Sequence, residues 1–131
     1  MEYSISREFN PQNEKALGDI PIAGVTTDDK KIAVEGTLLL RLDVHQIPHI
    51  WQTIGEDFVV KIIRPTVRSR IRMVASRFSA QEIIGPKRDD VEMELKNELE
   101  RIFYPRGIYV ENVLLSDVSD ITGVAKVKAA E

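Results

Sequence analysis

The stretch Lys31–Val44, KIAVEGTLLLRLDV, constrains the fold more than any other. Ile32, Val34, Gly36, Leu38, Leu40, Leu42 and Val44 occupy alternate positions, while Lys31, Ala33, Glu35, Thr37, Leu39, Arg41 and Asp43 fall between them. Successive side chains of an extended backbone point to opposite faces, so the alternation predicts a strand with one apolar and one mostly polar side. A slip of one residue would turn its leucines to water, and the register is therefore strongly specified. The stretch exceeds the ~5–6 residues of an average strand. It predicts an element that spans the sheet and offers later helices an apolar surface to cover.

A chain of 131 residues with 43% hydrophobic and 30% charged residues fits one globular domain with its own core. The net charge of -3 argues against a surface wholly devoted to phosphate, while leaving room for a local basic face. Cysteine is absent, which excludes disulfides, thiol catalysis and thiolate metal sites. No apolar run approaches the ~18 residues of a membrane helix, and the N-terminal MEYSISREFNPQNEK lacks the apolar centre of a signal peptide. The expectation is a domain that does not itself cross a membrane.

Taken in order, residues 1–19 are polar, carry the turn signal Asn10-Pro11-Gln12-Asn13, and read as an arm or a short edge element. From Ile20, IPIAGVTT reads as a strand that Pro21 and Gly24 confine to an edge or a bulge. Thr27-Asp28-Asp29-Lys30 then supplies the turn of a hairpin into the long strand. Pro48, Ile50, Trp51 and Ile54 suit a short helix ending at Gly55, and a longer helix is predicted from Phe58 toward Phe78. Pro65 interrupts it, predicting a kink or two abutting helices. Ser79-Ala80-Gln81-Glu82 has the form of a capping box. A further helix, with Asp89, Asp90 and Glu92 near its start, runs to the stop at Pro105-Arg106-Gly107. Residues 108–118 read as a closing strand that alternates imperfectly around Glu111-Asn112, a candidate bulge. The division is thus an arm over 1–19, a core over 20–118, and the start of a truncated C-terminal helix over 119–131; the class is α+β, without internal repeats.

Chemistry is hard to find. Asp43, His45 and His49 form D-x-H-x-x-x-H, but Pro48 breaks the helical spacing that would let the histidines share a metal, so a surface turn is the better reading. No serine sits in G-x-S-x-G, and no glycine pattern matches a P-loop or dinucleotide fingerprint. The expectation is no enzyme, no catalytic or metal residues and no cofactor.

Charge is the sharper signal. From Asp57 to Arg77 the chain carries Lys61, Arg64, Arg68, Arg70, Arg72 and Arg77 against one carboxylate; from Asp89 to Glu100 it carries Asp89, Asp90, Glu92, Glu94, Glu98 and Glu100 against Lys96. Helical angles place Lys61, Arg64, Arg68 and Arg72 opposite the apolar stripe Val59, Ile63, Val67, Ile71, Val74 and Phe78. Arg70 and Arg77 turn toward that stripe and are expected to find a carboxylate or carbonyl. Two readings stay open. The helices are merely solvated, or the basic face (Lys61, Arg64, Arg68, Arg72) of one copy meets the acidic face (Asp89, Asp90, Glu94, Glu98) of the next, a head-to-tail contact. An alternative is a binding module for nucleic acid or anionic headgroups, although no aromatic residue interleaves with the arginines as a base-stacking platform requires. Nucleic acid is not the expected partner.

The segments VEGTLLLRLDV, IGEDFVVKIIRPTVRSRIRMVASRFSAQEI and KRDDVEMELKNELERIFYPRGIYVENVLLSDV, in this order and spacing, resemble the core of the stomatin, prohibitin and flotillin superfamily, the SPFH or band 7 domain, in its prohibitin-like form. The resemblance runs from about Ile20 to Val118. It implies a mostly antiparallel sheet with helices packed on one side, and a non-catalytic scaffold in a membrane-associated, self-assembling protein. Organisation of membrane microdomains and restraint of partners such as membrane-bound AAA+ proteases follow as expectations, as does a soluble excised core. Family members carry an N-terminal hydrophobic segment and a C-terminal coiled coil, so the membrane contact is expected through segments this sequence does not contain.

Overall fold

A computed structural model describes residues 2–13, 17–43 and 59–122. The described elements are strands β1 (Glu2–Ile5), β2 (Gly18–Asp19), β3 (Ile22–Val25), β4 (Lys31–Leu42) and β5 (Ile108–Asp120), with helices α1 (Arg64–Ala75), α2 (Ala80–Ile84) and α3 (Arg88–Phe103). β4 is the strand predicted from the alternation, and it lies at the centre. On one edge β5 runs antiparallel to it from Ile32 to Leu42. On the other, β3 covers Lys31–Val34 and β1 covers Gly36–Leu39, both antiparallel. β2 extends this second side by pairing in parallel with Ser4 and Ile5 of β1. The N-terminal segment is therefore an edge element of the sheet itself.

Alternation along β4 becomes a division between faces. Ile32, Val34, Leu38 and Leu40 are at most 3% exposed. The three helices cover that side with Val67, Ile71 and Val74 from α1, Ile83 from α2, and Val91, Leu95, Leu99 and Phe103 from α3. Each such side chain removed from water contributes about 1.5–3 kcal/mol. Ala33, Glu35, Thr37 and Leu39 lie on the opposite, uncovered face and are only half-buried. An α+β domain with helices on one side of a mostly antiparallel sheet results.

β5 keeps pace with β4 only by two interruptions. Its register jumps between Glu35 and Gly36 and again between Leu39 and Leu40, leaving Ser116 and Glu111 without partners in β4. Each extra residue resets the side-chain phase, so Val110, Val113, Leu115 and Val118 all reach the core. The bulge at Glu111 was legible in the sequence, whereas the one at Ser116 was not. Gly36 marks the second: a Cβ there would stand 2.4 Å from Leu114 O.

Local chemistry explains the ends of the elements. Pro65 lies in the first turn of α1, where no intrahelical bond is lost, and a π-helical turn, Val59–Ile63, abuts it. The expected interruption is thus a junction of two helical segments, and α1 ends at Ala75, short of Phe78. Ser79 and Glu82 form the full capping box, with Glu82 N donating to Ser79 Oγ at 3.2 Å and Ser79 N to Glu82 Oε1 at 2.8 Å. Asp29, at φ 59°, takes the left-handed position of the β3–β4 turn, and Thr27 N of that turn donates to Phe78 O at 2.9 Å. Gly107, at φ 82°, turns the chain from α3 into β5. β5 continues two residues beyond Val118, and Ile121 N then closes on Lys31 O at 2.8 Å. His45, His49, the predicted helix over 48–55 and the tail 123–131 lie outside the described residues.

Gly36→Ala is expected to cost about 1–3 kcal/mol, because the new methyl meets backbone that cannot rotate away. A lower urea midpoint at unchanged slope is the readout, and a midpoint equal to the parent's would show that the bulge has room for a side chain.

Candidate interaction surface

Arg64, Arg68 and Arg72 stand one helical turn apart on α1, and each reaches the β2–β3 side of the sheet. Arg64 Nε donates to Gly18 O at 3.0 Å. Arg68 grips Asp19 with two bonds, Nε to Oδ2 at 2.5 Å and Nη2 to Oδ1 at 2.8 Å. Arg72 Nε donates to Ala23 O at 3.4 Å. These arginines dress an edge of the sheet, so the stripe predicted to face outward does so only in part. Arg64 is 9% exposed, with its guanidinium 5.6 Å from the Phe9 ring centroid. Helical angles could not show this, because the covering chain comes from residues 9–23, far away in sequence. Lys61 and Arg72 remain exposed and Arg68 is half-exposed.

Asp19 anchors the cluster. It is 2% exposed, and its hydrogen bonds raise the already high pKa of Arg68 against the opposing effect of burial. Tyr3 is sealed beside the same groups. Burial first, and the Asp19 charge second, push its phenol well above the usual range, with Arg64 and Arg68 pulling the other way. The phenol is therefore neutral at any ordinary pH.

The β5 side is dressed from α3 by an acid. Leu115 N donates to Glu92 Oε2 at 2.6 Å, and Val113 N donates to Asn112 Oδ1 at 2.9 Å. Donors along one edge of a strand recur every second residue, so two successive positions are met by side chains where another strand would otherwise bond.

Part of the expected complementarity between copies is made inside one copy. Arg77 Nη1 bonds Glu94 Oε1 at 2.9 Å and Arg77 Nη2 bonds Glu98 Oε2 at 3.3 Å, while Arg101 also pairs with Glu98. Glu94 and Glu98 of the predicted acidic face are thus engaged with α1's own C-terminal link. Asp89 and Asp90 are exposed, and Asp90 meets Lys87 only at 3.7 Å. Arg77 finds the expected carboxylates. Arg70 instead gives Nη2 to the Ser69 hydroxyl at 2.8 Å, and its Nε has no partner among the described residues.

The uncovered sheet face carries two clusters that sequence reasoning missed. Arg7 binds Glu35 at 2.9 Å, through both its backbone N–H and Nη2, and Asp117 at 3.1 Å. At the far end Arg41 lies 4.4 Å over the Tyr109 ring, whose hydroxyl donates to Asp43 Oδ2 at 3.2 Å. Tyr104 meets Tyr109 edge-on at 5.4 Å. Alternation signalled which residues share this face, but not that residue 7 folds back onto it. Among the described residues no group of three or more His, Cys, Asp or Glu is placed to hold a metal ion, and no helix is long and apolar enough to cross a membrane. The surface offers charge and strand-face contact.

A sequence profile of the SPFH domain / Band 7 family matches residues 2–125. The chain belongs to that family. The SPFH domain is 27% identical over 94 residues to Prohibitin-2 of Schizosaccharomyces pombe, covering 72% of this chain and 31% of that protein. It is 29% identical over 94 residues to Prohibitin-2 of Saccharomyces cerevisiae, covering 72% of this chain and 28% of that protein. The domain thus spans less than a third of the length of these relatives. The family is one of membrane-associated scaffolds.

Two predictions follow from how its charges are paired. Asp19→Asn should cost this SPFH domain about 1–3 kcal/mol, because it leaves Arg68 facing a neutral amide in a sealed site. Arg77→Ala, which breaks exposed pairs, should cost clearly less. Chemical denaturation would refute the contrast if the two costs were equal. The second concerns acid. Burial alone would raise the Glu35 carboxyl, but the backbone N–H and guanidinium of Arg7 outweigh it and hold Glu35 below its ordinary 4.5. A carboxyl depressed in the folded chain stabilises above its unfolded value, and that contribution is lost as pH falls through the folded one. Arg7→Ala should therefore destabilise the domain at pH 7 and progressively less as pH falls below 4.5; an equal loss throughout would remove Glu35 as the cause.

Proposed function

We propose that this domain is a non-catalytic scaffold module through which a membrane-associated protein assembles with copies of itself. The observation that carries the reading is the family match over residues 2–125, nearly the whole chain. On this reading the parent organises membrane microdomains or restrains membrane protein complexes such as AAA+ proteases. Contact between copies is head-to-tail, the basic face of one on the acidic face of the next, and such a contact builds rings or open filaments.

Internal pairing narrows the candidate contact. On the basic side Lys61 and Arg72 are exposed and without a carboxylate partner among the described residues; on the acidic side Asp89 and Asp90 remain. Rim pairs of this kind add only ~0–1 kcal/mol each, so they set orientation and register while apolar contact supplies affinity. Exposed Met93 lies on the same helix as Asp89 and Asp90.

The test is oligomer size by light scattering on the full-length protein and on this domain across a salt series. Asp89→Lys with Asp90→Lys is expected to shrink the assembly, and Lys61→Glu with Arg72→Glu in the same chain to restore it. Unchanged size in every variant would show that these charges are merely solvated.

A further inference from the structure

We propose that the cleft between the β2–β3 segment and α1 binds a phosphate oxyanion through Arg68 and Arg72. Asp19, Ile20, Pro21, Ile22 and Ala23 form one wall and the two arginines the other. Arg68 is fixed by two bonds to a buried carboxylate, and Arg72 is steered toward the same cleft by one long bond. Arg68 spends Nε and Nη2 on Asp19, and Arg72 spends Nε on Ala23 O. An arginine carries five N–H donors. Nη1 of Arg68 and both Nη groups of Arg72 consequently have no acceptor among the described residues, while the Arg68 fork is already held in place. Anchoring of this kind removes part of the side-chain ordering cost that binding normally incurs.

The chemistry selects the ligand. The Asp19 carboxylate is already engaged, by the Arg68 fork and by Ile20 N at 2.8 Å, and leaves the outer donors of the two arginines to another acceptor. Two guanidiniums one turn apart, with Cβ atoms about 5–6 Å from each other, suit a tetrahedral oxyanion that presents separate oxygens to each. Charge agrees, because Asp19 balances Arg68 and nothing described balances Arg72. Such a phosphate is free in solution or is the headgroup of an anionic lipid, and Lys61 tells the two apart. It is exposed, in the π-helical turn eleven residues before Arg72, beyond the reach of one phosphate bound at the cleft but within reach of a planar array of them.

The site shares Arg72 with the proposed contact between copies but needs neither Asp89 nor Asp90, so phosphate titration tests it apart from the self-assembly reading. The experiment titrates the folded domain with inorganic phosphate at constant ionic strength, following the arginine Nε–Hε resonances. In parallel, the domain is sedimented with phosphatidylcholine vesicles, with and without phosphatidic acid. Arg72→Gln is expected to weaken phosphate binding at least about tenfold, the loss of one charge-assisted contact. Arg68→Lys should weaken it as well, whereas Arg106→Gln, an exposed cation elsewhere, should leave it unchanged. Lys61→Gln lowering vesicle binding but not phosphate binding identifies the lipid headgroup; no binding to acidic vesicles identifies free phosphate. The proposal is overturned if phosphate shifts neither Arg68 nor Arg72, or if Arg72→Gln and Arg106→Gln bind alike.

Discussion

Pairing of β4 on both of its edges is the constraint on which the rest depends. β5 takes one edge over Ile32–Leu42, and β3 and β1 share the other end to end. Because every one of those strands is registered against the same backbone, the alternation of β4 dictates which of their residues face the helices. A one-residue error would propagate to all of them. β5 cannot follow a twisted partner for so long with a strict period of two, and the bulges at Glu111 and Ser116 absorb the difference. At Gly36 the facing backbone leaves no room for a Cβ, which would stand 2.4 Å from Leu114 O.

A sheet with a single helical layer leaves two edges that could recruit foreign strands. Here the helices send polar side chains to those edges. Arginines from α1 meet acceptors at Gly18, Asp19 and Ala23, and Glu92 from α3 meets the Leu115 donor. The division of labour follows the chemistry: guanidinium has only donors and ionised carboxylate only acceptors. Partial burial of Arg64 and Asp19 is tolerable because each has a partner, and unpaired they would cost several kcal/mol apiece. These contacts occupy part of each edge with side chains where a foreign strand would otherwise bond.

The sequence showed what is local or periodic. β4, the hairpin at Asp28-Asp29, the capping box at Ser79 and the stop at Gly107 all rest on residues within a few positions of one another, and each stands in the structure. The order of segments identified the family, because order and spacing survive where single motifs do not. What stayed hidden is long-range. Nothing in residues 58–78 announces that Gly18 and Asp19 will lie against their arginines, 49 positions away in the case of Arg68. Likewise, the helical wheel that placed Glu94 and Glu98 on a free acidic face had no means of bringing Arg77 to them. Periodicity reports which side of an element is wet in isolation, and only packing decides which charges are left over.

Arg72 is where the two proposals meet. It is the exposed guanidinium of the ladder, its single described bond is a long one to Ala23 O, and no carboxylate of the described chain neutralises it. A neighbouring copy's Asp89 or Asp90 and a phosphate in the cleft would draw on the same Nη groups. Simultaneous occupancy would bring two anions into van der Waals range, where like charges repel by about 1 kcal/mol even in water and several times more at a protein surface. Lys61, in the π-helical turn before α1, carries no such conflict: it can serve the neighbour whether or not the cleft is filled. A phosphate in the cleft would therefore weaken the contact between copies without abolishing it, and would shift its weight from Arg72 to Lys61. On the two proposals, oxyanion binding and assembly would be linked through one side chain, with a sign fixed by electrostatics.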